Sequence, residues 1–245
     1  MADRVVCGKH AVIEALEAGS RIRRLHVAKE SHAARDPRLK ELLSRSRVAV
    51  SESPRSVLDR LSQGTPHQGV IAVLEPFGYL ELEDLLDRAR KKDPRAVLVA
   101  LDEITDPHNL GAILRSAEAL GAQGALVPER RSSPITPVVE KAAAGATSHL
   151  PIAEVRNLSD ALEVCKEREF WVIGADAAGE DAAWDFDLNC PLVLVVGSEG
   201  KGLRERVKKT CDKLLAIPLS GKIASLNASV AAGVLLYEIA RQRKG

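Results

Sequence analysis

The sequence predicts an α/β protein in two parts: a small front domain over 1–75 and a larger domain with a mostly parallel sheet over 95–245, joined through 76–94. Three observations carry this. Apolar runs such as AVLVALDEI (96–104) and LVLVV (192–196) alternate with amphipathic stretches, as strands buried on both faces by helices do. The elements are short before residue 75 and longer after 95, with the charged segment PFGYLELEDLLDRARKKDP between. Charge divides the same way. Residues 1–75 carry 13 Lys+Arg against 9 Asp+Glu, net +4, whereas 95–245 carry 18 against 20, net −2.

In the front part, AVIEALEAG (11–19) is helix-like and ends on Gly19, and IRRLHVA (22–28) alternates as a strand. DPRLKELLSRS (36–46) opens with an Asp N-cap and a proline in the first helical turn. Residues 48–50 read as a short strand, SPRSVLDRLSQG (53–64) as a capped helix and GVIAVL (69–74) as an apolar strand. Residues 76–94 include one amphipathic helix ahead of Pro94, and the domain junction is expected within them. From 95 onward the expected order is strand 96–104, helix 107–120 capped by Asp106, strand 125–128, helix 137–145, strand 150–155, helix 158–168, strand 170–175, strand 192–196, helix 203–211, strand 213–219 and helix 225–242.

The 245 residues are 45% hydrophobic and 28% charged, an ordinary globular balance. The opening MADRVVCGKH lacks a signal-peptide core and no 18-residue apolar run occurs, so a cytoplasmic protein without a membrane span is expected. Cys7, Cys165, Cys190 and Cys211 are scattered without a CxxC pair, and the histidines lack ligand spacing, so no metal site is expected. The basic front suggests a polyanionic partner, although a solvated face has the same composition. No aromatic residue precedes Phe77. Base stacking on rings is therefore closed to the front domain, and any nucleic acid bound there must be held by charge, backbone groups and shape.

The glycine-rich turns do not fit the common nucleotide folds. Gly197-Ser-Glu-Gly200-Lys-Gly202 is GxxGxG, late in the chain, and not the GxGxxG of a dinucleotide fold. Lys201 is followed by glycine and Lys222 by isoleucine, which excludes a Walker A loop. What remains is three blocks in order: Asn109-x-Gly111-x-x-x-Arg115 at a helix start; Gly197-Ser-Glu199-Gly200-x-Gly202; and Ile217-Pro218 followed by Ser225-Leu226-Asn227-x-Ser229. Together they resemble the three motifs of the SpoU branch of the SPOUT RNA methyltransferases. GKHAVIEAL (8–16) and HQGVIAVL (67–74) are similar to the substrate-binding domain of bacterial 23S rRNA guanosine 2′-O-methyltransferases.

This resemblance implies an L30e-like front domain that binds RNA and a C-terminal α/β domain closed by a trefoil knot. It implies methyl transfer from S-adenosylmethionine to the ribose 2′-OH of a guanosine in 23S rRNA, in the P-loop of the peptidyl-transferase centre, by a homodimer. A tRNA or another rRNA site is the alternative substrate, and a non-catalytic RNA-binding protein on the same fold is the rival from another class. By motif position, Arg115, Glu199, Asn227 and Ser229 are the expected catalytic residues. Gly197, Gly200, Gly202, Ile217, Pro218, Ser225 and Leu226 are expected at the cofactor. Asn109 and the basic loop residues Arg130 and Arg131 are expected at the RNA. Each has a plainer reading. Arg115 could be an interface ion-pair residue, Glu199 a carboxylate at a helix start, and Ser225 and Asn227 caps of the last helix.

Overall fold

The computed structural model describes residues 4–29, 31–62, 64–179, 181–223 and 225–244. Gln63, inside the segment read as a capped helix, and Ala224, inside the third block, lie outside them. The chain forms two compact units, Met1–Phe77 with Ile135–Lys141, and Gly78–Pro134 with Ala142–Gly245.

The first unit holds β1 (Arg4–Cys7), α1 (Lys9–Glu17), β2 (Ile22–Ala28), α2 (His32–Arg35), α3 (Pro37–Arg45), β3 (Val50–Ser53), α4 (Arg55–Ser62) and β4 (Val70–Leu74). Its sheet runs β1-β4-β2-β3, with β4 antiparallel to both neighbours and β3 parallel to β2. Val12, Leu25, Leu39, Val70, Ala72 and Leu74 form its core. Asp36 caps α3 as expected, accepting from the N–H groups of Arg38 and Leu39, and Lys9 bonds the same carboxylate at 2.8 Å. Those hydrogen bonds and the Lys9 charge hold the Asp36 carboxyl below the usual carboxylate range. The third strand begins at Val50, where 48–50 was expected, and β1 and α2 had not been anticipated.

The second unit holds α5 (Leu82–Lys92), β5 (Val97–Asp102), α6 (Pro107–Ala119), β6 (Gly124–Pro128), β7 (Ile152–Val155), α8 (Leu158–Glu167), β8 (Trp171–Ala175), β9 (Asp181–Ala182), β10 (Leu192–Gly197), α9 (Glu205–Thr210), β11 (Lys213–Ala216) and α10 (Ala228–Gln242), whereas α7 (Pro137–Ala142), between β6 and β7 in the chain, is grouped with the first unit up to Lys141. The sheet order is β7-β6-β5-β10-β8-β11-β9, and every pairing is parallel. β5 and β10 are buried at every position, the signature of central strands covered on both faces. β5 and β6 lead outward to β7 on one side. The chain then returns to β8 and places β10 between β8 and β5, so the order reverses beside β5 and β10. In parallel sheets such reversals open a crevice beyond the carboxyl ends of the strands.

Several expected boundaries move for local reasons. The segment 76–94, read as a linker, contains α5, whose Leu85, Leu86 and Ala89 are buried in the core of the second unit beside Leu98, Leu126 and Phe170. The last strand stops at Ala216, short of the expected 219, because Pro218 has no N–H to give a ladder. The last helix begins at Ala228, with Asn227 as its cap, so Ser225 and Leu226 lie ahead of it. Helix α7 ends at Ala142, three residues before its expected end. Ala144 and Gly145 then take left-handed conformations that break the helix.

Candidate active site

The carboxyl end of β10 turns on Gly197. A Cβ there would lie 2.3 Å from the Gly202 carbonyl carbon and 2.5 Å from the Leu203 nitrogen, so the residue must be glycine for the chain to fold back this closely. Ser198 N–H donates to Gly202 O at 3.1 Å and Gly202 N–H to Ser198 O at 2.9 Å, closing 198–202 into a small ring. Gly200 and Gly202 have φ of +80° and +66°. Behind the ring, the fully buried Asp102 at the end of β5 accepts from Arg204 N–H at 2.8 Å and from Arg204 Nε at 2.7 Å. Arg204 also lies 3.7 Å from Glu103. The ring is thus anchored at both ends, by backbone bonds across it and by the half-exposed Arg204 paired with the buried Asp102.

Beside the ring lies a cavity of about 250 Å³, bounded by 175–177, 196–202, Lys208, Leu215, Ile217, Leu219, Ser225, Leu226 and the first half of α10. Six of the seven expected cofactor residues line it: Gly197, Gly200, Gly202, Ile217, Ser225 and Leu226. Pro218 does not, being exposed between Ile217 and Leu219. Leu215, Ile217, Leu226 and Leu235 make apolar walls suited to a flat heterocycle. The backbone groups of Ile217 and Leu226 make no hydrogen bond among the described residues, so their N–H and C=O groups can serve an adenine edge. The donor set and the walls therefore fit an adenosyl group.

Two further lining residues were not anticipated. Asp176 follows the strand run FWVIGA, and its Oδ2 lies 2.6 Å from Lys208 Nζ. Burial alone would push this carboxyl up. The Lys208 hydrogen bond and charge and the Ala178 N–H outweigh it, and the group sits below its ordinary value. The signal in the sequence was an acid directly after an apolar strand. Asp102, ending VLVALD, gives the same signal.

The polar residues of the three blocks converge on one another. Asn227 Oδ1 caps α10, accepting from Ser229 N–H at 2.9 Å and Val230 N–H at 3.4 Å, and takes Ser229 Oγ–H at 2.6 Å. Its Nδ2 donates to Asn109 Oδ1 at 3.0 Å and to Glu199 Oε2 at 3.2 Å. Asn109 Nδ2 reaches the same Glu199 oxygen at 3.4 Å. Capping by Oδ1 leaves Nδ2 for Asn109 and Glu199, so the cap of α10 and a place in this polar cluster are compatible, because the amide has two ends. Glu199 is oriented by two amides and not by Arg115.

Arg115 stands apart from this cluster, about 9 Å further along α6 than Asn109 at 1.5 Å per residue. It is exposed and makes no hydrogen bond or ion pair among the described residues. An internal ion-pair role is therefore absent within the described chain. Arg130 and Arg131 follow β6. Arg131 is held at φ +61° and meets Glu103 at 3.5 Å, whereas Arg130 lies near Glu129 and Arg156. Glu103 is approached by both Arg131 and Arg204, which places the basic loop next to the ring-anchoring pair.

Comparison with known proteins agrees with this geometry. Residues 96–237 match the model of the SpoU rRNA Methylase family, and residues 5–80 match that of the RNA 2′-O ribose methyltransferase substrate-binding domain. The chain belongs to the SpoU methylase family. It is similar to YacO of Bacillus subtilis (strain 168), named for the TrmH family of tRNA/rRNA methyltransferases, with 44% identity over 97% of this chain and 95% of that one. Among solved structures it is similar to the SpoU methyltransferase AviRb from Streptomyces viridochromogenes in complex with AdoMet, at TM-score 0.69 and 28% identity over 99% of this chain and 91% of that one. It is also similar to an AdoMet-bound rRNA methyltransferase from Sinorhizobium meliloti, at TM-score 0.64 and 27% identity over 98% and 87%. This SpoU protein is an S-adenosylmethionine-dependent tRNA/rRNA 2′-O-methyltransferase, with an N-terminal substrate-binding domain and a C-terminal methyltransferase domain. No helix among the described residues is long and apolar enough to cross a membrane.

Proposed function

We propose that this enzyme methylates the ribose 2′-OH of a guanosine in 23S rRNA, in the P-loop of the peptidyl-transferase centre. The observation that carries the site assignment is the cluster of Asn109, Asn227 and Ser229 around Glu199, which itself lines the cavity beside the 198–202 ring. The rRNA reading is supported by the likeness to the Sinorhizobium meliloti rRNA methyltransferase, which extends over both units of this chain.

Bound in the cavity, S-adenosylmethionine supplies a sulfonium methyl group open to displacement by an oxygen nucleophile. The chain's own residues then align the ribose and stabilise the charge that develops on its 2′-oxygen. The Arg115 guanidinium makes no hydrogen bond or ion pair among the described residues and has donors but no acceptor, so it serves as a clamp for phosphate and as a counter-charge, not as a base. Glu199 Oε2 is occupied by two amides, and Oε1 accepts no hydrogen bond among the described residues. That oxygen is left for the incoming hydroxyl. Arg130 supplies a further cation for the RNA backbone.

The enzyme is read as a homodimer. Val230, Val234 and Tyr237 are 51%, 43% and 61% exposed and recur along one side of α10, an apolar stripe of the kind a second helix covers.

The test is methyl transfer from labelled S-adenosylmethionine to 23S rRNA and tRNA transcripts, followed by mapping of 2′-O-methyl positions. Modification of one 23S guanosine is expected, and modification of tRNA alone would replace the substrate. Arg115→Ala should abolish turnover while leaving calorimetric cofactor binding intact. Unfolding or loss of cofactor binding would show that the arginine is structural.

A further inference from the structure

Asp176 follows β8 at the cofactor cavity and belongs to none of the three sequence blocks. Its side chain is 8% exposed and lines the cavity together with Lys208. The turn that carries it is fixed by backbone bonds. Asp176 N–H donates to Leu215 O at 3.1 Å, and Gly179 N–H donates to Asp176 O at 3.0 Å. A Cβ on Gly179 would lie 2.7 Å from Leu214 O, so the turn is pressed against β11. The carboxylate stands next to the 198–202 ring, since a Cβ on Gly202 would lie 3.9 Å from Oδ2.

The bonds this carboxylate makes leave a matched pair of acceptor sites. Oδ1 accepts Ala178 N–H at 2.9 Å, Oδ2 accepts from Lys208 Nζ at 2.6 Å, and neither takes another donor among the described residues. An ionised carboxylate offers about four acceptor sites, so each oxygen keeps one to spare. Spare acceptors on a buried charge ask for donors. Two neighbouring acceptors suit two neighbouring hydroxyls, and the cofactor carries such a pair on its own ribose. Its α-ammonium fits less well. Lys208 already supplies a cation at Oδ2, and a second one beside it adds desolvation and like-charge repulsion. The neutral diol adds neither.

We propose that Asp176 recognises the ribose diol of the cofactor, with one hydroxyl donating to each carboxylate oxygen, and that Lys208 is a positioning residue that holds the carboxylate through its ion pair. The inference rests on an adenosyl group occupying the cavity.

The experiment is calorimetry of the full chain with S-adenosylhomocysteine, with its 2′-deoxy and 3′-deoxy ribose analogues, and with 5′-methylthioadenosine, which keeps the diol but lacks the amino-acid part. The wild type should bind each deoxy analogue about 10-fold more weakly than S-adenosylhomocysteine. Equal affinities overturn the proposal without the use of any variant. Asp176→Asn keeps an acceptor for Ala178 N–H but loses the charge and one acceptor oxygen. It should weaken S-adenosylhomocysteine and 5′-methylthioadenosine alike, by about 10-fold to 100-fold, and the deoxy analogues by several-fold less, because part of the contact is already gone. The same loss on intact and deoxy ligands would make Asp176 a purely structural residue. A loss on S-adenosylhomocysteine that spares 5′-methylthioadenosine would move the contact to the amino-acid part, and either result overturns the proposal. Lys208→Ala should reproduce the Asp176→Asn pattern more weakly, and Lys208→Arg should restore affinity. A uniform loss across the ligands that arginine does not relieve overturns the positioning role. A wild type that binds none of the four ligands overturns the adenosyl reading of the cavity itself.

Discussion

Asn227→Asp separates the two jobs of one side chain. The carboxylate of the variant still caps α10, since aspartate and asparagine are equally good caps, and its charge suits a helix N-terminus. What changes is the other end. The Nδ2 that donates to Asn109 at 3.0 Å and Glu199 at 3.2 Å becomes an oxygen with nothing to donate. Two carboxylates then face each other at an exposed rim, where repulsion costs about 1 kcal/mol after solvent screening. Asn227→Ala instead loses the cap, at about 1 kcal/mol within a range of roughly 0.5 to 2. Both variants should therefore melt within a few degrees of the wild type, at about 2–4 °C per kcal/mol. Turnover should fall about 100-fold in the aspartate variant, because Glu199 loses the Asn227 donor that orients it for the role proposed above. The assay is single-turnover methyl transfer at saturating cofactor, with urea denaturation of the same samples. Adding Glu199→Gln to Asn227→Asp should recover part of the loss by restoring a donor–acceptor pair. Wild-type turnover in Asn227→Asp would refute the assignment of the cluster to the site.

Gly197→Ala should lower cofactor affinity at least about 10-fold by calorimetry, because the new Cβ forces the 198–202 ring to shift, an overpacking cost of about 1–3 kcal/mol. Asp176 has its carboxyl held below the ordinary value in the folded state, so its stabilising effect is present above about pH 4 and lost as the pH falls through the folded value. Asp176→Asn should accordingly flatten the acid limb of stability, read as denaturant midpoints from neutral pH down to about pH 3; an unchanged limb would remove Asp176 from the account. Val234→Glu should shift sedimentation toward monomer with secondary structure intact by circular dichroism, and an unaltered oligomeric state would exclude the α10 stripe as the dimer face.

Much of the fold was legible because periodicity carries it. The runs at 96–104 and 192–196 read as buried strands and are the two central ones. The segment 76–94 does contain the expected helix and the boundary between the units, but an amphipathic helix closed by a charge run has the same pattern whether it bridges two domains or buries one face in a core. Only the partners of Leu85 and Leu86 decide. In the site, glycine spacing announced the ring after β10, because a side chain is sterically excluded at Gly197. The Asp102–Arg204 pair was hidden, since its members are 102 residues apart and neither stands in a motif. Asn227 could be read either as a cap or as a site residue, and nothing in its spacing told that the two are compatible. Arg115 was legible as an arginine on the face of a helix, but its isolation from acids became visible only in three dimensions.

The two-ended use of the Asn227 amide sets the polarity of hydrogen bonding within the Asn109–Glu199–Asn227 cluster. Two backbone N–H groups and the Ser229 hydroxyl all point at Oδ1, so the amide cannot flip without abandoning the start of the last helix. Nδ2 is thereby always a donor toward Glu199, and Glu199 Oε2 always an acceptor. The sense of donor and acceptor in this cluster is written into the register of α10, some of whose other residues face solvent in an apolar row. Anything that settles on that row and stiffens the helix also stiffens the donor–acceptor sense of the site at its end.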